Sequence, residues 1–221
     1  MPQFDRVVVV SLARRPDRLE AFRGRLAAAW PGTPLDVFPA VDGRLCQPPD
    51  WWNGGAGAWG CYRSHQRILE EAVQDGLGSV LVFEDDAAFV PGFAGRLEAY
   101  LAALPAGPCQ AYLGGQHLKP AVLVNDQVVR CTNCNRTHGY AVLGAEAILR
   151  LYRWLHAGAH WRGRHHVDHH YGRQHPSGVP AYAPREWLVG QAAAGPSDVS
   201  RGSPPDRWWP LEDRLCLPAT S

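Results

Sequence analysis

An apolar run, Ser79-Val80-Leu81-Val82-Phe83, ends abruptly in three acids, Glu84-Asp85-Asp86. A Val-, Leu- and Phe-rich run of this length reads as a buried strand of the parallel type. Three adjacent carboxylates cannot share that core, because an unpaired buried charge is very costly. They belong at the strand's carboxyl end, in water or against a cation. In an open α/β sheet that edge is where ligands bind. The chemistry open to them there is to hold a hard cation such as Mg²⁺ or Mn²⁺. Such an ion takes oxygen ligands and leaves its remaining positions to water and substrate phosphate. Alternation along an extended chain puts Glu84 and Asp86 on one side and Asp85 on the other. The plain alternative is a solvated acidic turn.

Four further constellations carry possible chemistry. Arg14-Arg15-Pro16-Asp17-Arg18 follows a Val-rich run and opens a helical pattern. A strand-to-helix junction offers N–H groups to phosphate, and guanidinium groups add bidentate contacts. The alternative there is an exposed charged loop with Asp17 capping the helix. In Gly60-Cys61-Tyr62-Arg63-Ser64-His65, Ser64 and His65 fall on one predicted helix. Adjacent helical residues do not face each other, so they are not a nucleophile–base pair. His165-His166-Val167-Asp168-His169-His170 is dense enough in imidazole for metal or acid–base work, with a surface loop as the alternative. Cys131-Thr132-Asn133-Cys134 has the spacing of half a zinc site. Its second half would have to come from Cys109 or one of the clustered histidines. The alternative is two thiols at a hairpin end.

The elements that must position these groups can be read from periodicity. Val7 to Leu12 predicts a first strand, and Asp17 to Trp30 a helix with Leu19, Phe22, Leu26 and Trp30 at helical spacing. Leu35 to Ala40 predicts a second strand, completing a βαβ-sized unit. Asp42 to Ala58 reads as a loop and Trp59 to Gln74 as a helix. Gly92 to Leu104 is a further predicted helix. Gln110 to Leu113 reads as a short strand ended by Gly114-Gly115. Ala121 to Val124 and Gln127 to Cys131 read as a hairpin turned by Asn125-Asp126. His138 to Leu143 predicts a strand and Ala145 to His156 a helix. From Ala157 onward the chain reads as loop-rich with short helical pieces. The fold class expected is α/β, a mixed sheet with a mainly parallel core flanked by helices. Residues 1–203 are expected to form one domain, with 204–221 a Pro- and Trp-rich tail packed on it.

At 221 residues and 46% hydrophobic content the chain can bury a sizeable core. A formal charge of +1 argues against a dedicated nucleic-acid surface. Of the 22 basic residues only Lys119 is a lysine. No run of apolar residues is long enough to span a bilayer. The N-terminus lacks the form of a signal peptide, so a cytoplasmic protein is expected, with its six cysteines as thiols or ligands.

Taken in order, these pieces resemble glycosyltransferase family 25. Val8-Val9-Val10-Ser11-Leu12 with Arg14, Asp17 and Arg18 resembles its opening segment, and Phe38 to Gly43 its "A-DG" loop. Gly60-Cys61 with Ser64-His65 resembles its "GC--SH" helix, and Leu81 to Asp86 its "LEDD" strand. Gly139-Tyr140 with Ala147 and Leu151, Asp168, and Gln191 with Ser197-Asp198-Val199 match later elements. The resemblance implies a GT-A fold, a UDP-sugar donor, Mn²⁺ (or Mg²⁺) and inversion at the anomeric carbon. It implies that Ser11, Leu12, Arg14, Arg18, Asp42, Ser64, His65, Glu84 and Asp85 serve the donor. Metal ligation would fall to Glu84 and Asp86, with Asp168 as the base toward the acceptor hydroxyl and His170 or His169 as a further ligand or alternative base. The acceptor would be a glycan, a protein or a modified nucleobase. A structural Zn²⁺ at Cys131 and Cys134 is a separate expectation. A metal-dependent phosphoesterase and a non-catalytic, zinc-stabilised binding module are the alternatives from other classes.

Overall fold

The structure is a computed structural model, described for residues 3–157, 166–176, 178–193, 206–209 and 216–217. It opens with β1 (Arg6–Ser11), α1 (Pro16–Ala29) and β2 (Asp36–Pro39), the expected strand–helix–strand unit. Then come α2 (Gly55–Gln74), β3 (Ser79–Glu84), β4 (Ala87–Phe89) and α3 (Phe93–Ala102). The strands β5 (Cys109–His117), β6 (Ala121–Leu123), β7 (Val128–Arg130) and β8 (Cys134–Leu143) follow. The described chain ends with α4 (Ala145–His156), α5 (Val167–Gln174), β9 (Ala181–Pro184), β10 (Val189–Gln191) and β11 (Cys216–Leu217).

Among the described residues, nine strands form one sheet in the order β11-β6-β7-β9-β5-β8-β3-β1-β2. β2, β1 and β3 run parallel, and β8 lies antiparallel between β3 and β5. The sheet is therefore mixed, with its all-parallel block at the end where the acids emerge. Alternation along β1 and β3 explains why both are apolar throughout. Val8, Val10, Val80 and Val82 pack with Ile68 and Leu69 of α2 and Ile148 and Leu151 of α4 on one face. Val7, Val9, Leu81 and Phe83 pack with Phe22 and Leu26 of α1 and Phe93 and Leu97 of α3 on the other. A strand covered on both faces has no polar side to show.

Several boundaries move from their expected places. Helix α2 starts at Gly55, inside the segment expected to be a loop. The Gly-Ala-Gly-Ala stretch there carries no helical period. β5 continues through Gly114-Gly115 to His117, with register shifts against β8 at those glycines. A side chain at Gly114 would collide with the Val189 carbonyl, its Cβ lying 2.1 Å away, so the glycine admits β10 rather than ending β5. β8 begins four residues early, at Cys134. The His-rich stretch is helical from Val167 to Gln174. The Asn125 turn stands as expected, its Oδ1 accepting from the amides of Gln127 and Val128. Asp206 to Trp209 lies along β10 through the Gln191–Arg207 bridge, and β11 pairs with β6. His165 and the Ser197-Asp198-Val199 motif lie outside the described residues.

Candidate functional site

β3 delivers its acids to a cleft of about 300 Å³ at the carboxyl end of the parallel block. The strand ends at Glu84, and Asp85-Asp86 form a turn into β4. Alternation therefore stops at Glu84, and the expected pairing of Glu84 with Asp86 on one side gives way to a different split. Glu84 turns toward α2 and β8. Its Oε1 accepts from Thr137 Oγ1 at 2.5 Å and lies 3.3 Å from His65 Nε2, close but without the alignment of a hydrogen bond. Asp85 and Asp86 converge on Arg18, whose NH2 stands 2.6 Å from one carboxylate and 3.1 Å from the other. Asp85 also accepts from Ser11 Oγ at 2.8 Å. Gln191 Nε2 lies 3.4 Å from Asp86 Oδ2, while Asp86 Oδ1 is buried with no hydrogen-bond partner among the described residues.

The turn is tied from outside. Arg25 donates to the carbonyls of Asp85 and Ala87 at 2.9 Å each, and the Ala192 amide donates to the Asp86 carbonyl at 2.7 Å. Electrostatics follow from this packing. Burial and the neighbouring charge of Glu84 push Asp86 up to about 7, against the pull of Arg18. Burial also raises Asp85, though Arg18 and Ser11 oppose it. Burial alone would raise Glu84 too, but His65 and Thr137 outweigh it and bring the group down to about 2. The triplet is thus one ionised carboxylate beside two strained ones.

The opposite wall comes from the loop after β2 and the first turns of α2. Ser64 Oγ donates back to the Gly60 carbonyl at 2.7 Å and accepts the Val41 amide at 2.9 Å, so it clamps the loop onto the helix. Asp42 accepts from Arg14 at 2.8 Å and from the Arg44 amide at 3.0 Å. Gly60 allows the close approach: a Cβ there would lie 2.3 Å from the Val41 carbonyl oxygen. His65 is fixed by Tyr140, whose hydroxyl lies 2.8 Å from Nδ1 and 3.2 Å from the hydroxyl of Tyr171.

The third wall is the start of α5 with the bend of β8. Asp168 Oδ2 accepts the Arg136 amide at 3.3 Å. Arg136 has a φ of +79°, a left-handed conformation rare for a residue with a side chain. That backbone turn is what aims its amide at Asp168 while Thr137 faces Glu84. Of the residues singled out in the sequence, Leu12, Arg14, Arg18, Asp42, Ser64, His65, Glu84, Asp85, Asp86 and Asp168 line the cleft. Ser11 stands behind it as the partner of Asp85. His170 does not join them: it is buried against Tyr62, ring centroids 4.9 Å apart, because it occupies the inner face of α5. Thr137 and Arg136 give no sequence signal, since neither belongs to a recognisable spacing.

Acids and arginines gathered at a sheet's carboxyl edge define a ligand-binding site of an α/β protein. Comparison with known proteins finds similarity to one family. Residues 52–130 match the model of "Glycosyltransferase family 25 (LPS biosynthesis protein)". "Inactive glycosyltransferase 25 family member 3" of Homo sapiens is 38% identical over 138 residues, 53% of this chain and 23% of that protein. "Glycosyltransferase 25 family member" of Drosophila pseudoobscura pseudoobscura is 30% identical over 170 residues, 66% of this chain and 27% of that protein. The resemblance to family 25 carried by the motifs is thereby borne out. The chain spans about a quarter of the length of the curated relatives it matches. Among solved structures, mannose-1-phosphate geranyltransferase from Thermus thermophilus aligns with a TM-score of 0.46 and 13% identity, covering 80% of this chain and 72% of that one. Among the described residues no helix is long and apolar enough to cross a membrane.

Proposed function

We propose that this domain transfers a hexose, galactose or glucose, from a UDP-sugar to an acceptor hydroxyl with inversion, using a divalent cation. The observation that supports this best is Asp86 Oδ1, a buried carboxylate oxygen, on a residue that lines the cleft, without a hydrogen-bond partner among the described residues. A hard cation is the chemistry that such an oxygen fits. Asp86 and Glu84 would hold Mn²⁺ or Mg²⁺, which when bound supplies Lewis-acid stabilisation to a leaving diphosphate. Arg14 and Arg18 sit where β1 gives way to α1 and would meet the phosphates. Asp42 and Ser64 fix the loop that forms the nucleotide side. Asp168 lies across the cleft and would accept the proton of the attacking hydroxyl, the one base an inverting displacement requires. The acceptor would be a glycan, a protein or a modified nucleobase.

The test pairs binding with turnover. Thermal shift with a panel of nucleotide sugars should show a Mn²⁺-dependent rise with a UDP-hexose, by mass action on the folded state. Released UDP and glycosylated acceptor should then be measured in the wild type and in Asp168→Asn. The variant should keep donor binding and lose about 10²-fold or more in turnover. Unchanged turnover would remove Asp168 as the base, and no shift with any donor would remove the whole reading.

One observation favours a second reading. Arg18 already neutralises Asp85 and Asp86 in part, at 2.6 and 3.1 Å. Two relatives from Homo sapiens and Mus musculus carry "inactive" in their names. A non-catalytic domain that binds the nucleotide sugar through its arginines would show a thermal shift without Mn²⁺ and no release of UDP.

A further inference from the structure

Away from the cleft, the structure brings the Cys131-Thr132-Asn133-Cys134 segment against the end of β5. His117 and Cys134 are directly opposed in the antiparallel β5–β8 ladder. Cross-strand partners place their Cβ atoms about 5 Å apart. Cys131 follows β7, with its amide donating to the Ala181 carbonyl at 2.8 Å, and the two intervening residues turn the chain back into β8. One ligand atom from each of His117, Cys131 and Cys134 lies within 4.8 Å of the others. All three residues are buried, at 8%, 1% and 0% exposure.

Among the described residues, neither ring nitrogen of His117 has a hydrogen-bond partner. That is costly for a buried imidazole. The surroundings offer it no relief: the Trp187 indole stacks on it, centroids 5.2 Å apart and planes 19° off parallel. Gly115 leaves room beside the cluster, since a Cβ there would lie 2.7 Å from Cys134 Sγ. Ligands around a tetrahedral zinc with Zn–S bonds of about 2.3 Å stand about 3.8 Å apart. Closing from the present spacing takes shifts of about 1 Å or less, on a turn that can supply them.

We infer that His117, Cys131 and Cys134 supply three of the four ligands of a structural zinc site that joins β5, β7 and β8, with water in the fourth position. Two thiolates and an imidazole are a soft donor set that suits Zn²⁺ and not the hard cation of the cleft. Binding releases the two thiol protons to solvent and leaves the imidazole neutral. Burial already keeps His117 neutral, at about 4. His175 is held out of the set, with Nδ1 accepting the Cys134 amide and Nε2 at 3.3 Å from the Tyr112 hydroxyl. Among the described residues, neither Cys109 nor His166, His169 or His170 joins the two thiols; the third ligand is the histidine opposite Cys134 in the sheet.

The test is metal analysis of the full chain, purified with reductant and without chelator. About one zinc per chain is expected. Titration of the metal-free protein with Co²⁺ should give thiolate-to-cobalt charge transfer in the near ultraviolet and the strong visible bands of a tetrahedral ion. His117→Ala and Cys131→Ser should each lower zinc content to about a tenth or less of the wild type. Asp86→Ala should retain all of it, which separates this site from the cleft. Should the variants fail to fold, the cobalt spectrum of the wild type still decides. Zinc no higher than background, a cobalt spectrum without thiolate bands, or a Cys131–Cys134 disulfide in the zinc-supplemented reduced protein would each overturn the assignment.

Discussion

Replacing Asp86 by Asn should stabilise the protein at mildly alkaline pH and leave it unchanged at about pH 3. The Asp86 carboxylate is raised to about 7 from an ordinary 3.8 by burial and by Glu84. A carboxylate raised on folding favours its protonated form in the native state. Its contribution is therefore fully present below the ordinary value of 3.8 and is lost as pH rises from there to about 7. The gap of about 3 pH units corresponds to about 4 kcal/mol of strain in the ionised native state. Some of that must be discounted. The side chain is 20% exposed, and Arg18 would lose one of its two acids. Taking back about 2 kcal/mol for that weakened charged contact leaves a gain of about 2 kcal/mol at about pH 8. At about pH 3 the wild-type group is protonated in both the folded and the unfolded chain, so the difference should fall below about 0.5 kcal/mol. Urea unfolding of both proteins at the two pH values, with chelator present, measures this directly. A variant that is equally stable with wild type at both pH values, or less stable at the higher one, would refute the claim that Asp86 is held against its charge.

Three further outcomes follow from the same geometry. Arg18→Met leaves Asp85 and Asp86 facing each other without their cation and should cost about 3–5 kcal/mol in urea unfolding; combining it with Asp86→Asn should recover part of that loss, since the two sites share one contact. Gly60→Ala puts a Cβ 2.3 Å from the Val41 carbonyl oxygen and 2.7 Å from the Gly43 nitrogen. It should cost about 1–3 kcal/mol and weaken nucleotide binding measured by calorimetry, because the loop bearing Asp42 must shift. His138 and His175 are buried and lowered to about 4 and about 3, chiefly by burial. Their contribution is complete above the unfolded value of about 6.5 and is lost as pH falls toward those native values, with a slope approaching about 2.7 kcal/mol per pH unit when both take part. A series of unfolding curves across that range should show it, and a flat profile would contradict the neutral burial of both rings.

What the sequence made legible was the apolar skeleton. Val7 to Val10 and Val80 to Phe83 announce strands because both faces of each are covered, by α1 and α3 below and by α2 and α4 above. The acids after Phe83 announce the site because no core could accept them. The division of labour among those acids was not legible. It depends on the chain turning at Asp85, which periodicity carries no information about. Arg18 could be placed near phosphate from its junction with α1, but not its grip on two carboxylates. The extension of β5 through Gly114-Gly115 was hidden because glycine pairs read as punctuation, and here they serve to admit β10 and the Cys134 sulfur. His117 was passed over because its partners lie fourteen or more residues away in sequence. Only the β5–β8 register joins them.

The charge balance of the cleft connects the two readings of its function. Glu84, Asp85 and Asp86 bring three acids against Arg18 and a histidine. A nucleoside diphosphate would add further negative charge to a pocket in which Asp86 already resists ionisation. Arg14 is partly committed to Asp42 at 2.8 Å, so the guanidinium groups alone do not offset both the acids and a diphosphate. Donor affinity in a catalytic site of this composition must therefore be coupled to the cation. Coupling is reciprocal, so the UDP-sugar should tighten Mn²⁺ binding by the same factor that Mn²⁺ tightens the UDP-sugar. Asp86→Asn removes one acid and should erase most of that coupling while making donor binding without metal stronger. A non-catalytic domain would instead have Arg14 and Arg18 turned to the phosphates. Its donor affinity would be indifferent to Mn²⁺, and Asp86→Asn would change it little. Calorimetric titration of donor and cation in both orders, on the wild type and on Asp86→Asn, separates the two by the presence or absence of that shared factor.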